Sequence, residues 1–389
     1  MVDSRTRIIP DRRTTLIANP AAGTSLNYPM LLQTVIFISG AAILALELLA
    51  SRVMTPYFGV SLYIWTGILS ITLIALAAGY AFGGRYANTR HAAPAALIEA
   101  YALMPAVAAA GMVGACLVYP FVFVPLATWS LIGGAFIACL LLLGIPLVAA
   151  SAMNPLLVAL LLRQSAAKGA AADGGAGRVF FVSTIGSVAG VVVTAFGMIP
   201  YLSNFVSTLL VAVVLAILPL AMILRSPVRF ADRKRVVTVT TIALIASLTL
   251  LAAADFYTGR MWPVNYGNAT WTPEKTYRSM FGTIKILKSG PRDGEDFNRM
   301  YFQDGLVQNM VGAHNQSMSL YTYALEALAQ SYRPGVKKAL VLGNGAGMVP
   351  MRLAGRGIDV TAVEIDPAAL RTAQELFGYD TAKVHTVQA

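Results

Sequence analysis

Apolar residues fall in long uninterrupted runs over roughly the first 254 positions of this chain, and in short alternating or helical patterns thereafter. A membrane-crossing helix needs about 20 mostly apolar residues. Seven runs reach that length, near residues 31–50, 61–81, 96–118, 128–150, 180–200, 204–224 and 236–254. The first starts too late for a cleaved signal peptide, and a second run follows closely. The region 96–162 is one long apolar stretch interrupted by Pro105, Pro120, Pro125, Pro146 and Pro155, so a broken or re-entrant helix near Pro146 stays open. The pattern predicts a multi-pass α-helical bundle of about seven helices.

Past residue 254 the periods shorten. Met280–Lys288 and Arg299–Val311 read as β-strands around the polar turn 289–294. Ser317–Tyr332 reads as a helix, with Met318, Tyr321, Leu325 and Leu328 on one face. A strand, Lys338–Leu342, then leads into the turn Gly343-Asn344-Gly345-Ala346-Gly347 and a helix to about Leu353. Ile358–Val363 is the next strand, ending in Glu364-Ile365-Asp366. Asp366 is a natural N-cap, Pro367 a natural first helical residue and Gly378 a natural end. Val384–Val387 begins a third strand, giving the β-α-β-α-β half of a doubly wound sheet. The expected organisation is a basic segment 1–30, a transmembrane domain 31–254, a small β/α region 255–335 and a partial, Rossmann-like α/β domain 336–389.

Composition agrees with this division. Hydrophobic residues make up 57% of the chain and charged residues 12%, against roughly 25% charged in a typical globular protein. Most of the formal net charge of +11 lies before residue 254, between apolar runs. That placement points to the lipid bilayer and not to nucleic acid. Arg5, Arg7, Arg12 and Arg13, then Arg85 and Arg90, then Arg163, Lys168 and Arg178, then Arg225, Arg229, Arg233, Lys234 and Arg235 all fall on one side, against Arg52 on the other. The positive-inside rule puts the N-terminus in the cytoplasm, and seven crossings put residue 255 outside it. Cys116 and Cys139 read as small buried hydrophobes. His91, His314 and His385 lack metal-ligand spacing, so no metal is expected. Glu47 and Glu99 are carboxylates within apolar runs, which normally face a partner or water. Pairing with Arg52 is a sufficient role for Glu47. Gly79, Gly83 and Gly84 suit close helix packing.

The candidate chemistry sits at the glycine turn. Glycines let a backbone approach a ligand, and a helix N-terminus offers free N–H groups to it. A carboxylate ending the neighbouring strand, Glu364, can accept from ribose hydroxyls. A dinucleotide fingerprint would need glycine where Met348 stands, which favours a smaller nucleoside ligand over a pyrophosphate.

Lys338–Phe377 resembles the cofactor-binding segment of the spermidine synthase family, within the wider S-adenosylmethionine-dependent methyltransferase fold. The stretch Phe302-Gln303-Asp304-Gly305-Leu306-Val307-Gln308 resembles that family's Leu-Asp-Gly-x-x-Gln. Glu47–Arg52 with Pro56-Tyr57-Phe58-Gly59, and Gly177-Arg178 leading into Gly186-Ser187, resemble the membrane region of membrane-fused spermidine synthase-like proteins. The resemblance implies decarboxylated S-adenosylmethionine, or S-adenosylmethionine, as co-substrate. It implies transfer of an aminopropyl group to a small amine such as putrescine. Carried over, Gly343, Gly345 and Gly347 would line the methionine-derived portion, Glu364 would hold the ribose, and Gln308 and Tyr321 would lie near the reacting end.

Three departures bear on that expectation. The family's loop aspartate is Ala346 here, and its acidic pair falls on Ser317 and Met318. The catalytic aspartate that the resemblance implies would follow a fourth strand, beyond Ala389. A related transferase acting on another substrate, and a transporter or binding protein with a non-catalytic synthase-like domain, therefore stay open. So does a homo-oligomer.

Overall fold

The computed structural model describes residues 27–89, 93–166, 175–225, 230–259, 264–266, 269–290 and 297–389. The basic segment before residue 27 lies outside them, as do Arg90, Lys168 and Arg229.

Seven described helices are long and apolar enough to cross a membrane, and the chain is accordingly a multi-pass membrane protein. They are α1 (Asn27–Phe58), α2 (Leu62–Ala87), α3 (Pro94–Trp129), α4 (Leu131–Ala166), α5 (Ala176–Val192), α6 (Asn204–Arg225) and α7 (Arg233–Ala252). A π-helical turn, Val193–Met198, continues α5, and a short α8 (Ala254–Gly259) follows α7. The split near Pro146 does not occur. α3 and α4 are unbroken helices of 36 residues each, about 54 Å at 1.5 Å per residue. Proline is tolerated inside such helices because neighbouring helices and local adjustments make up for the lost hydrogen bonds.

Small residues set the helix spacing. A Cβ on Gly40 would lie 2.1 Å from the Ser183 carbonyl oxygen, one on Gly186 2.0 Å from that of Phe37, and one on Gly190 2.1 Å from that of Ala41. α1 and α5 therefore meet backbone to backbone. Gly79 and Gly83 do the same for α2 against Val148, Ser151 and Ala152 of α4, while Gly84 faces open space.

Arg163, Arg178 and Arg235 gather at one end of the bundle, opposite Arg52. Arg163 donates to the Ala87 carbonyl at 3.0 Å, Arg178 to the Gln33 side chain at 3.0 Å, and Arg235 lies 3.8 Å from Glu99. Glu99 also accepts from the Asp232 backbone N–H at 2.8 Å, which ties the start of α7 to α3. Glu47 does not pair with Arg52. Five residues along a helix turn two side chains roughly 140° apart. Arg52 instead pairs with Asp304 in the soluble part, and Glu47 Oε1 is buried without a hydrogen-bond partner among the described residues.

The soluble part opens with a five-stranded antiparallel meander in the order β1-β2-β3-β4-β5: Val264–Tyr266, Ala269–Ser279, Gly282–Ser289, Asn298–Gln303 and Leu306–Val311. The expected run 299–311 is thus two strands, because Asp304 (φ 46°) and Gly305 (φ 92°) turn the chain back. β2, whose outward positions are almost all polar, was not anticipated. Helix α9 (Leu320–Tyr332) comes next. β6 (Lys338–Leu342), α10 (Met348–Gly355), β7 (Asp359–Glu364), α11 (Pro367–Leu376) and β8 (His385–Gln388) then form a three-stranded parallel sheet in the order β6-β7-β8. Leu353, Leu370 and Ala373 of the two crossing helices pack on Val341, Val360 and Ala362.

The apolar stripe expected to bury α9 is instead exposed at Met318, Tyr321, Leu325 and Leu328, while Thr322 and Glu326 are buried. The cause lies in its neighbour α10. Glu326 bonds both Arg352 and Arg356, and the Arg352 guanidinium stacks on Tyr323 at 4.1 Å. Charge pairing sets the rotation of α9.

Candidate functional site

The glycine turn lies between β6 and α10, beside the end of the adjacent parallel strand. Gly343 (φ 84°), Gly345 (φ 51°) and Gly347 (φ 78°) are all left-handed, a conformation that only glycine adopts readily. Gly343 N–H donates to the Val363 carbonyl at 2.8 Å, which fixes the start of the turn to β7. Gly347 N–H closes the turn on the Asn344 carbonyl at 2.8 Å. A side chain at 347 would strike the Tyr379 ring, 2.5 Å from its Cδ2.

Glu364 ends β7 directly beside this turn and is buried. Its Oε2 accepts from the backbone N–H groups of Asn344 at 2.7 Å and Gly345 at 3.2 Å, and its Oε1 from Asp366 N–H at 2.9 Å. An ionised carboxylate offers about four lone-pair sites, so three are taken and one, on Oε1, remains. Asp366 caps α11 as expected, accepting from Ala368 N–H at 2.8 Å.

The antiparallel sheet closes over the turn. Ala346 and Met348 are buried in one apolar cluster with Tyr277, Ile284, Ile286, Tyr301 and Phe377. An unpaired charge at position 346, inside this cluster, would be costly. Around the turn three buried polar atoms lack partners among the described residues: Asn344 Oδ1, Asp366 Oδ2 and the Tyr301 hydroxyl. Burial, with Asp366 and Glu364 nearby, pushes the Tyr301 phenol well above its ordinary value.

Gly343, Gly345, Gly347 and Glu364 thus form one unit. Gln308 and Tyr321 are not joined to it by any described hydrogen bond or ring contact. Gln308 is exposed and occupies a β-bulge, since Tyr301 pairs with Asn309 and Phe302 with Val307. Ser317 donates to Asn309 Oδ1 at 3.1 Å. The sequence carries no signal that singles out Tyr301 and Tyr379. Both look like ordinary core aromatics there, and only the fold brings them against the turn. Among the described residues no group of three or more His, Cys, Asp or Glu side chains is placed to hold a metal ion. No family model, curated protein or solved structure matches this chain.

Proposed function

We propose that this protein is a membrane-anchored transferase whose glycine turn binds an S-adenosylmethionine-type co-substrate. The observation that carries the reading is the left-handed turn 343–347, closed by Glu364 at the end of the neighbouring parallel strand. We read the β6-α10-β7-α11-β8 unit as part of a Rossmann-like domain, and its connectivity supports that. The free lone pair of Glu364 can accept one ribose hydroxyl without disturbing the turn. In the reading nearest the resemblance the co-substrate is decarboxylated S-adenosylmethionine and the acceptor a small amine such as putrescine.

One observation favours a second reading, a transferase of the same kind acting on a less cationic acceptor. Ser317 and Met318, where the resemblance would place an acidic pair, are neutral. A dicationic amine would want carboxylates at those places.

Calorimetry on the full chain in detergent tests the proposal, with S-adenosylmethionine, its decarboxylated form and methylthioadenosine as titrants. Binding of at least one of them is expected, with Glu364→Ala costing roughly 1.5–3 kcal/mol. Silence from all three, or unchanged affinity in a folded Glu364→Ala protein, would overturn it.

A further inference from the structure

The joint between the membrane helices and the soluble part encloses a cleft of about 190 Å³, far from the glycine turn in sequence and built from other residues. Arg52 and Thr55 of α1, Ser61 and Trp65 at the start of α2, and Asp304 of the β4–β5 turn line it. Both carboxylate oxygens of Asp304 are engaged. Asp304 Oδ2 takes Arg52 Nη1 at 3.3 Å, and Oδ1 takes Thr283 N–H at 2.9 Å. The Thr55 hydroxyl donates its one hydrogen to the Ser51 carbonyl at 2.8 Å and has none left for a ligand.

Donors are in excess. A guanidinium carries five N–H groups, and the Asp304 bond is the only one described for Arg52. Ser61 stands at the N-cap of α2, yet its side chain makes no capping bond, and its Oγ is buried without a partner among the described residues. A cation, a spare hydroxyl and an uncapped helix start in one cleft suit the oxygens of an anion.

The surface leading away from the cleft is apolar. Leu62, Trp65, Leu69 and Leu73 are all exposed and recur at helical spacing on one face of α2. Trp65 sits where the polar cleft meets this stripe, as tryptophan does at membrane–water interfaces. A free inorganic anion would make no use of the stripe, whereas a phospholipid uses both parts.

We infer that this cleft binds the phosphate of a membrane phospholipid, with one acyl chain lying along the Leu62–Leu73 face of α2. The inference does not depend on the glycine turn or on any transferase activity.

Native mass spectrometry of the delipidated full chain in non-ionic detergent tests it. The probes are dioleoylphosphatidylglycerol, dioleoylglycerol and inorganic phosphate. One phospholipid should be retained per chain, while dioleoylglycerol should show no saturable binding, and inorganic phosphate should compete only weakly. Arg52→Gln and Ser61→Ala should each weaken phospholipid binding about tenfold or more, the scale of a lost charge-assisted hydrogen bond. Asp304→Asn breaks the same ion pair but keeps the cation, so it should bind phospholipid at least as tightly as the parent chain. Wild-type affinity in Arg52→Gln would overturn the inference. Equal binding of dioleoylglycerol would do so too, because the phosphate would then be idle. Phosphate binding as tightly as the lipid would mark a free-anion site instead. A loss in Asp304→Asn matching that in Arg52→Gln would assign the effect to the broken joint and not to a phosphate site.

Discussion

Arg52, near the end of the first membrane helix, reaches Asp304 in the turn between β4 and β5, with Nη1 and Oδ2 3.3 Å apart. The same turn is held in two further ways. Asp304 adopts a left-handed backbone and accepts from Thr283 N–H, and Gly305 abuts Pro56 so closely that a Cβ would lie 2.5 Å from its Cα. The Asp304-Gly305 turn is thus the seat of the β-rich part on the membrane helices.

The two contacts should differ in weight. Both side chains of the ion pair are about a third exposed, so Arg52→Ala should cost under about 1 kcal/mol of stability. Gly305→Ala must place a Cβ against Pro56 in a strained backbone, at a cost on the order of 1–3 kcal/mol. Hydrogen exchange over β5 should rise more in Gly305→Ala than in Arg52→Ala. The reverse order would show that charge, and not close approach, seats the turn.

The helix faces were only partly legible in the sequence, and the reasons are physical. The seven apolar runs are long enough to declare themselves, as are the glycine turn and the Asp366 cap, because each depends on residues close together in the chain. The ends of α3 and α4 were missed because prolines that would break a soluble helix do not break these. The partner of Arg52 was misassigned because it lies 252 positions away. The rotation of α9 was missed because the arginines that set it lie on α10, and no local period encodes them. At the site, Gly343, Gly345, Gly347 and Glu364 were found from sequence, whereas Tyr301 and Tyr379 arrive through packing alone.

Glu326 makes the α9–α10 contact sensitive to acid. Burial alone would raise its pKa, but the hydrogen bonds and charges of Arg352 and Arg356 outweigh that and hold it below its ordinary value of 4.5. A carboxylate lowered by folding contributes stability that is fully present above its unfolded value and is lost as pH falls through the folded one. Protection of α9 should therefore be flat from neutral pH down to about the ordinary value and fall below it. Glu326→Gln should show the acid-state protection already at neutral pH. Hydrogen exchange of residues 320–332 against pH is the measurement, and an unchanged profile in the variant would refute the assignment.

Close helix packing predicts a severe effect from a small change. Gly186→Val would drive a branched side chain into the Phe37 carbonyl, 2.0 Å from where its Cβ would stand. α1 and α5 must then separate, and small-residue contacts of this kind drive helix association in membranes. The thermal transition of the full chain in detergent should fall clearly. Gly177→Val, in the same helix with nothing within 4 Å, should leave it nearly unchanged. Equal effects of the two would show that glycine content, and not this contact, governs stability.

The last prediction concerns sidedness. The described basic residues Arg163, Arg178 and Arg235 gather at one end of the bundle, and the soluble part is seated on Arg52 and Pro56 at the other. Seven unbroken crossings and the positive-inside rule then put the basic end in the cytoplasm and residues 264–389 on the opposite side. An adenosyl co-substrate would more naturally be met in the cytoplasm, and an eighth crossing would restore that placement. Among the described residues the room for it would be a split near Pro146, and α4 runs through that point as one helix. Cysteine labelling of intact cells decides between the two. Ser289 is buried in β3 and would report poorly, whereas Ser331 on α9 is exposed. With Cys116 and Cys139 replaced, Ser331→Cys should react with a membrane-impermeant maleimide before lysis. A cysteine at Arg85, at the basic end, should react only after it. Labelling in the opposite order would invert the topology and place the glycine turn in the cytoplasm.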